Sequence, residues 1–345
     1  MQTELLPVSR PAIDRAGQLI RQGALVAFPT ETVYGLGANA LDADAVRRIF
    51  EAKGRPGDNP LIAHISAVEQ LASLIDCEPS LAARALMDAC WPGPMTLIFP
   101  RSRAVPDAVT AGLDTVAVRL PAHPAARALI DAAQRPIAAP SANRSGRPSS
   151  TTARHVLEDM DGRIPLILDG GPCEVGLEST VIDVTGGVPR VLRPGGVTPE
   201  RIAAICGGVQ VDDAVMRPLK EGERPRSPGM KYRHYAPAGA LTIVKGEERA
   251  VASAICRLYD EALGQGKRPL ILALNTHLPA YGARRALSLG SDAGEMAHEI
   301  FARLRDADAL GADALFSEAV GTEGVGLAVM NRLGRAAAFH IVEVK

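Results

Sequence analysis

Two segments carry side chains suited to an anion. Lys53 and Arg55 stand two residues apart in a turn stiffened by Gly54, Pro56 and Pro60. Such a turn can aim both cations at one polyanion, lysine as a point charge and arginine as a bidentate fork. Between Ser141 and Ser149, hydroxyls and backbone N–H groups supply neutral donors for phosphate oxygens or a ribose. No acid occurs between Asp131 and Glu158, whereas Arg135, Arg144, Arg147 and Arg154 are basic. Thr32, His64, Arg119 and Ser179 fall at or near predicted strand ends and suit a second, smaller ligand. Taken singly, each segment also reads as ordinary structure: a solvated basic turn, local caps in a Ser-rich loop, a satisfied surface histidine. No G-x-x-x-x-G-K-[ST] loop, G-x-S-x-G elbow, Ser-His-Asp order or His/Cys/Asp metal spacing is present. Composition and spacing reach an α/β protein that binds something phosphorylated.

The elements that must position these residues follow from the apolar pattern. A strand over 25–28 leads into Pro29–Gly35, and a helix from about Asp42 ends at Lys53 with Gly54 in the C′ position. A strand over 61–65 is closed by Ser66 and Glu69, read as a capping box, which puts His64 at a strand's carboxyl end, where α/β sheets keep ligands. Residues 115–119 and 136–139 read as strands, Glu178–Val181 enters another, and Arg193-Pro194-Gly195 closes one more. From Arg217 to Pro237 the apolar pattern fails across four prolines and six basic residues. The chain therefore reads as a domain over 1–208, a linker over 209–238 and a second domain over 239–345. In the latter, apolar runs at 241–244, 270–274 and 314–316 alternate with helices at about 247–263 and 291–304, the second capped by Ser291. That alternation argues a parallel, doubly wound sheet. Gly321, Gly324 and Gly326 do not form a dinucleotide fingerprint.

Balance excludes other classes. The 345 residues hold 38 Lys+Arg against 39 Asp+Glu, so a uniformly basic polyanion binder is excluded. Hydrophobic residues at 47% exclude a mostly disordered chain. Residues 1–14 lack a basic stretch followed by an apolar run, and no run approaches the length of a membrane span. Cys77, Cys90, Cys173, Cys206 and Cys256 are odd in number, with no Cys-x-x-Cys pair. A cytoplasmic protein with scattered thiols is the expectation.

Five segments in order resemble one family. They are Phe28-Pro-Thr-Glu-Thr-Val-Tyr-Gly-Leu-Gly37, Lys53-Gly-Arg-Pro-Gly-Asp-Asn-Pro-Leu61, Trp91-Pro-Gly-Pro-Met-Thr-Leu97, Ala139-Pro-Ser-Ala-Asn-Arg-Ser-Gly146 and Glu178-Ser-Thr-Val181. Together they resemble the threonylcarbamoyl-AMP synthases, the YrdC-like family. The connector Ser227-Pro-Gly-Met-Lys-Tyr-Arg-His-Tyr-Ala-Pro237 resembles the long form with a C-terminal Rossmann-like domain.

The resemblance implies an N-terminal twisted mixed sheet with a basic cavity, plus a smaller Rossmann-like parallel α/β domain. It implies a nucleotidyltransferase that converts ATP, L-threonine and bicarbonate or CO2, with Mg2+, to L-threonylcarbamoyladenylate and pyrophosphate. Downstream transferase proteins would pass the threonylcarbamoyl group to the adenosine beside the anticodon of tRNA. By motif position, Thr32, His64, Arg119, Ala139 and Ser179 would surround threonine. Arg55, Asn59, Thr115, Ser141, Ser149 and Arg193 would contact ATP, with Lys53 and Arg55 as the catalytic cations. Tyr232 and Tyr235 in the linker would reach back over the nucleotide. The metal ligands stay open. Two alternatives remain at this point, a carbamoyltransferase-like domain and a weakly RNA-binding module. The first expects acylphosphatase and zinc-finger segments, which are missing from the sequence; the second expects salt-dependent RNA binding without pyrophosphate release.

Overall fold

A computed structural model describes residues 2–218 and 235–345, which fall into two compact units. The first contains, in order, β1 (Glu4–Pro7), α1 (Arg10–Arg21), β2 (Val26–Phe28), β3 (Gly35–Asn39), α2 (Ala43–Lys53), β4 (Ile62–His64), α3 (Leu81–Cys90), β5 (Met95–Pro100), α4 (Asp107–Thr110), β6 (Thr115–Arg119), α5 (Pro124–Ala133), β7 (Ile137–Ala139), α6 (Ala153–Met160), β8 (Leu166–Asp169), β9 (Thr180–Asp183), β10 (Arg190–Arg193), α7 (Pro199–Cys206) and β11 (Gln210–Val211). They form an 11-stranded mixed sheet in the order β1-β8-β2-β3-β7-β4-β6-β5-β9-β10-β11.

Local chemistry accounts for the element that delivers Lys53. The Asp42 carboxylate accepts from the N–H groups of Asp44 and Ala45, and Ala45, Val46, Ile49 and Phe50 line the buried face of α2. The helix stops at Gly54, whose φ of 61° lies in the left-handed region.

Strand alternation then divides the core. Ala63, Leu97, Val118 and Ile182 point to one face and pack with α2 and α3 residues such as Ile49 and Leu86. Phe28, Ala139 and Ile137 point to the other, where Ile13 and Ile20 of α1 and Leu129 and Ile130 of α5 cover them. That second face continues along the sheet as a short apolar strip of Ile62, Ile98, Ala117, Val181 and Leu192. The candidate site lies on this continuation.

The second unit holds β12 (Ala240–Lys245), α8 (Glu248–Gly264), β13 (Pro269–Ala273), β14 (Ala286–Ser288), α9 (Ala293–Ala309), β15 (Ala314–Glu318), α10 (Gly326–Ala336) and β16 (Ile341–Glu343). Its five strands are all parallel, in the order β14-β13-β15-β12-β16, as the alternation of runs and helices predicts. Val244, Ile255, Tyr259, Ile271 and Phe316 form its core.

Three local expectations change. Asp292, not Ser291, caps α9, because its carboxylate reaches the N–H groups of both Gly294 and Glu295. Residues 66–69 form no capping box: a 3-10 turn over Val68–Ser73 starts after Ala67 without a side-chain cap, and Gln70 Oε1 accepts from the Ser66 N–H at 2.9 Å. Regular structure in the first unit runs past residue 208, through β11 and a 3-10 turn at Asp213–Val215. Among the described residues, no helix is long and apolar enough to cross a membrane.

Candidate active site

One row of paired residues crosses six strands. The registers pair His64 with Ile137 of β7 and with Arg119 of β6, Arg119 with Thr96 of β5, Thr96 with Val181 of β9, and Val181 with Arg193 of β10. Directly paired residues project from the same face, so His64, Arg119 and Thr96 share one surface, and a register shift between Val191 and Arg193 on β10 lets Arg193 join it beside Leu192. Arg119 is 3% exposed and held on three sides. Its Nη1 donates to Thr32 Oγ1 at 2.7 Å, its Nε to the Gly93 carbonyl at 3.3 Å, and its Nη2 stands 2.7 Å from Glu31 Oε1. Thr32 is fixed in turn, because its hydroxyl and that of Thr30 lie 2.8 Å apart. On the other flank Thr96 Oγ1 and Ser179 Oγ are 2.7 Å apart, and Arg193 donates to the Ser179 hydroxyl and carbonyl, each at 3.1 Å.

The Ser-rich loop is irregular, as expected, and its backbone is stapled rather than loose. The Tyr34 N–H donates to the Ser150 carbonyl and the Ala142 N–H to the Tyr34 carbonyl, both at 2.8 Å. From beneath, Lys53 Nζ donates to the carbonyls of Ser141, at 2.6 Å, and Asn143, while the Ser145 N–H returns to the Lys53 carbonyl at 3.0 Å. Lys53 is 4% exposed, so its ammonium works first as the pin of this loop. Ser149 donates to Glu178 Oε1 at 2.5 Å, and Glu178 precedes Ser179, which ties the loop to the row. Arg55 lies at the turn after α2, over the Phe50 ring at 5.7 Å, with Nη2 donating to the Asn59 carbonyl at 3.1 Å. The buried Asn59 side chain has no hydrogen-bond partner on either amide atom.

The sequence-derived residues thus fall into groups. Thr32, His64, Arg119, Ser179 and Arg193 belong to the row or bond to it. Ala139, on β7, pairs with Ile62, two residues before His64. Lys53, Ser141 and Ser149 belong to the loop, and Arg55 and Asn59 to their own turn. Thr115 shares the face of Arg119 but sits at the opposite end of β6, about 13 Å away at roughly 3.3 Å per residue. Tyr235, with φ 64°, packs within the second unit, on Phe301 at 5.0 Å and under Arg332 at 5.8 Å. Tyr232 lies outside the described residues. Two residues escaped the sequence reading: Glu31 and Thr96. Both lie inside quoted motifs, and their signal was a charged and a hydroxyl side chain within otherwise buried segments.

His64 is neutral. Burial, then the Arg119 charge, push its imidazole down to about 3, and Nδ1 donates to the Ile62 carbonyl at 3.1 Å. A neutral ring beside Arg119 avoids like-charge repulsion and leaves a polar, uncharged edge in the row. Because the folded value is depressed, this group favours the fold above its ordinary range near 6.5, and that contribution drains away as pH falls toward about 3. An NMR titration should find the His64 ring still neutral at about pH 4, and His64→Gln should flatten the acid limb of the stability curve. A ring titrating near 6.5 would contradict this environment.

Among the described residues, no group of three or more His, Cys, Asp or Glu gathers to hold a metal ion. Residues 18–195 match the family described as Telomere recombination, and residues 197–338 the one described as Threonylcarbamoyl-AMP synthase, C-terminal domain. The chain is 49% identical over 329 residues to the threonylcarbamoyl-AMP synthase of Pyrococcus abyssi, covering 95% of each. It is 46% identical over 343 residues to that of Bacillus subtilis, covering 99% of this chain and 97% of the other. It is also similar, with a TM-score of 0.94 and 47% identity over 99% of this chain and 100% of the other, to a crystal structure of P. abyssi Sua5 complexed with L-threonine. Matched over nearly its whole length in sequence and in fold, the chain belongs to the threonylcarbamoyl-AMP synthase family.

Proposed function

We propose that this site makes L-threonylcarbamoyladenylate and pyrophosphate from ATP, L-threonine and bicarbonate or CO2. The observation that carries the reading is the row itself: a buried arginine flanked by hydroxyls and a neutral histidine, continuous with a second arginine and a pinned donor loop. Arg119 suits the threonine carboxylate, which a guanidinium grips with parallel bonds. Thr32, Ser179, His64 and the backbone at Ala139 complete the amino-acid subsite. Arg193, Arg55, Asn59 and the loop donors at Ser141 and Ser149 suit the nucleotide and its phosphates, with Thr115 at the far end of the same face. Mg2+ would enter with ATP as Mg2+–ATP, carried on the substrate's phosphates.

The chemistry needs no enzyme nucleophile. Threonine's amine becomes a carbamate, whose oxygen attacks the α-phosphorus as pyrophosphate leaves. The protein supplies alignment of the reactants and fixed positive charge where the leaving phosphates gain negative charge. The product is consumed by a group transfer to the tRNA adenosine, performed by partner proteins in the cytoplasm. Incubation with ATP, bicarbonate and single amino acids should release pyrophosphate with threonine only. Arg55→Ala should lower that rate by about 10²–10³-fold while leaving the melting temperature unchanged. Amino-acid-independent release, or an Arg55→Ala rate equal to wild type, would overturn the assignment.

A further inference from the structure

Glu31 is a buried carboxylate that the five residues of the proposed threonine subsite leave out. It is 4% exposed and faces Arg119, itself 3% exposed, at 2.7 Å. Three donors stand against its carboxylate, the Arg119 guanidinium and the N–H groups of Ala122 and Glu31, and none of them meets an oxygen in line. Burial raises its carboxyl affinity for protons, but the Arg119 charge and the nearby N–H groups of Ala122 and Glu31 outweigh it, so the group stays ionised. A carboxylate offers about four acceptor sites, more than these three donors fill, and a buried anion gains from a further charged donor. None of Thr32, His64, Arg119, Ala139 and Ser179 carries a negative charge, so those residues offer no ionic counterpart to the α-ammonium of an amino acid. Glu178, the acid next to Ser179, is already engaged by Ser149.

We propose that Glu31 receives the α-ammonium of the substrate, so that Glu31 and Arg119 together form a clamp for an amino-acid zwitterion. The inference rests on the threonine-using reading above. A zwitterion carries its carboxylate and ammonium on one carbon, which matches two opposite charges held side by side. The clamp also has a direction. With bicarbonate, nitrogen bonds to carbon, the carbon–hydroxyl bond breaks, and the ammonium gives up two protons, one leaving in water and one to solvent. The charge beside Glu31 thereby changes from positive to negative. Glu31 holds the amino acid before carboxylation and repels the carbamate afterwards, toward the cations of the nucleotide side.

The test is direct binding of L-threonine and of (2S,3R)-2,3-dihydroxybutanoate, its analogue with hydroxyl in place of the amine. Calorimetry would compare wild type with Glu31→Gln and Glu31→Asp. Wild type should prefer threonine by at least about 30-fold, as expected when a buried charge loses its partner. In Glu31→Gln the preference should collapse to within about 3-fold, with ATP affinity unchanged. A residue that merely orients Arg119 would weaken both ligands equally, and a preference that persists in Glu31→Gln overturns the clamp. Should Glu31→Gln fail to bind ATP, the wild-type comparison decides together with Glu31→Asp, which must keep the preference at reduced affinity. Wild type that releases pyrophosphate with threonine yet shows no preference sinks the clamp alone. Wild type that binds neither compound and releases nothing sinks the threonine reading with it.

Discussion

Arg119→Ala is expected to lower kcat/KM for threonine by about 10³-fold or more and to destabilise the first unit by about 3–5 kcal/mol. Both effects have one origin. The guanidinium is the grip for the substrate carboxylate and the counter-ion of Glu31 at 2.7 Å. Removing it strands a carboxylate that is 4% exposed and drops the hydrogen bond that holds Thr32. The pH dependence separates the two contributions. In the wild type, Arg119 depresses Glu31, so the pair stabilises above the ordinary carboxylate range and that stabilisation is lost as pH falls through the depressed value. In the variant, burial is opposed only by the N–H groups of Ala122 and Glu31, so Glu31 rises from its wild-type value, and the penalty is full at neutral pH and shrinks as the carboxyl takes up a proton. Thermal melts from about pH 8 to about pH 5 should show the deficit narrowing, while threonine-dependent turnover stays low throughout. A deficit independent of pH would mean that Glu31 is not the stranded group.

Gly195→Ala should also be damaging, although it adds one methyl group and touches no charge. A Cβ at this position would lie 2.4 Å from the Glu178 carbonyl oxygen, 2.5 Å from the Thr180 nitrogen and 2.6 Å from the Ser179 carbonyl carbon. All three are backbone atoms, so no side chain can swing aside. The strand they enter is fixed as well: β9 pairs with β5, and Thr180 Oγ1 both donates to the Val197 carbonyl at 2.6 Å and accepts from its N–H at 3.0 Å. Relief must therefore come from displacing Ser179, which breaks its contacts with Thr96 and Arg193. The expected outcome is about 1–3 kcal/mol of stability and about 10²-fold in turnover, read by thermal melts and pyrophosphate release. Wild-type kinetics in this variant would show that Ser179 has room the packing denies.

Much of this arrangement is legible in the residues, and the unreadable part has physical causes. Short apolar runs bounded by Gly, Pro and polar residues place β4, β6, β7 and β13 to within a residue or two, because a brief continuous apolar run is the local signal of a strand covered on both faces. The capped helix α2 reads just as directly from Asp42 and Gly54. Strand order does not read, since β7 lands between β3 and β4 through crossovers that no local pattern encodes. The boundary at 208 falls short because β11 is two exposed residues, Gln210 and Val211, behind a Gly-Gly pair. Glu31 escapes because an acid in a loop motif ordinarily reads as solvated, and only the sheet brings Arg119 to it. Lys53 reads as a phosphate cation and emerges first as the pin of the Ser-rich loop, because its carbonyl partners, Ser141 and Asn143, lie far along the chain.

The row of paired residues also bears on how the enzyme comes into being. Its members are scattered between residue 64 and residue 193 and meet only when six strands have docked, parallel and antiparallel, in one register. Contacts so distant along the chain form late, after the loops between them have been closed at an entropic cost. A nascent chain that has not yet added Arg193 therefore has no fractional version of this site, and a one-residue slip in any of the strands would turn its contribution to the opposite face. Turnover is in this sense a reporter of completed folding: refolding followed by activity should lag refolding followed by helix content.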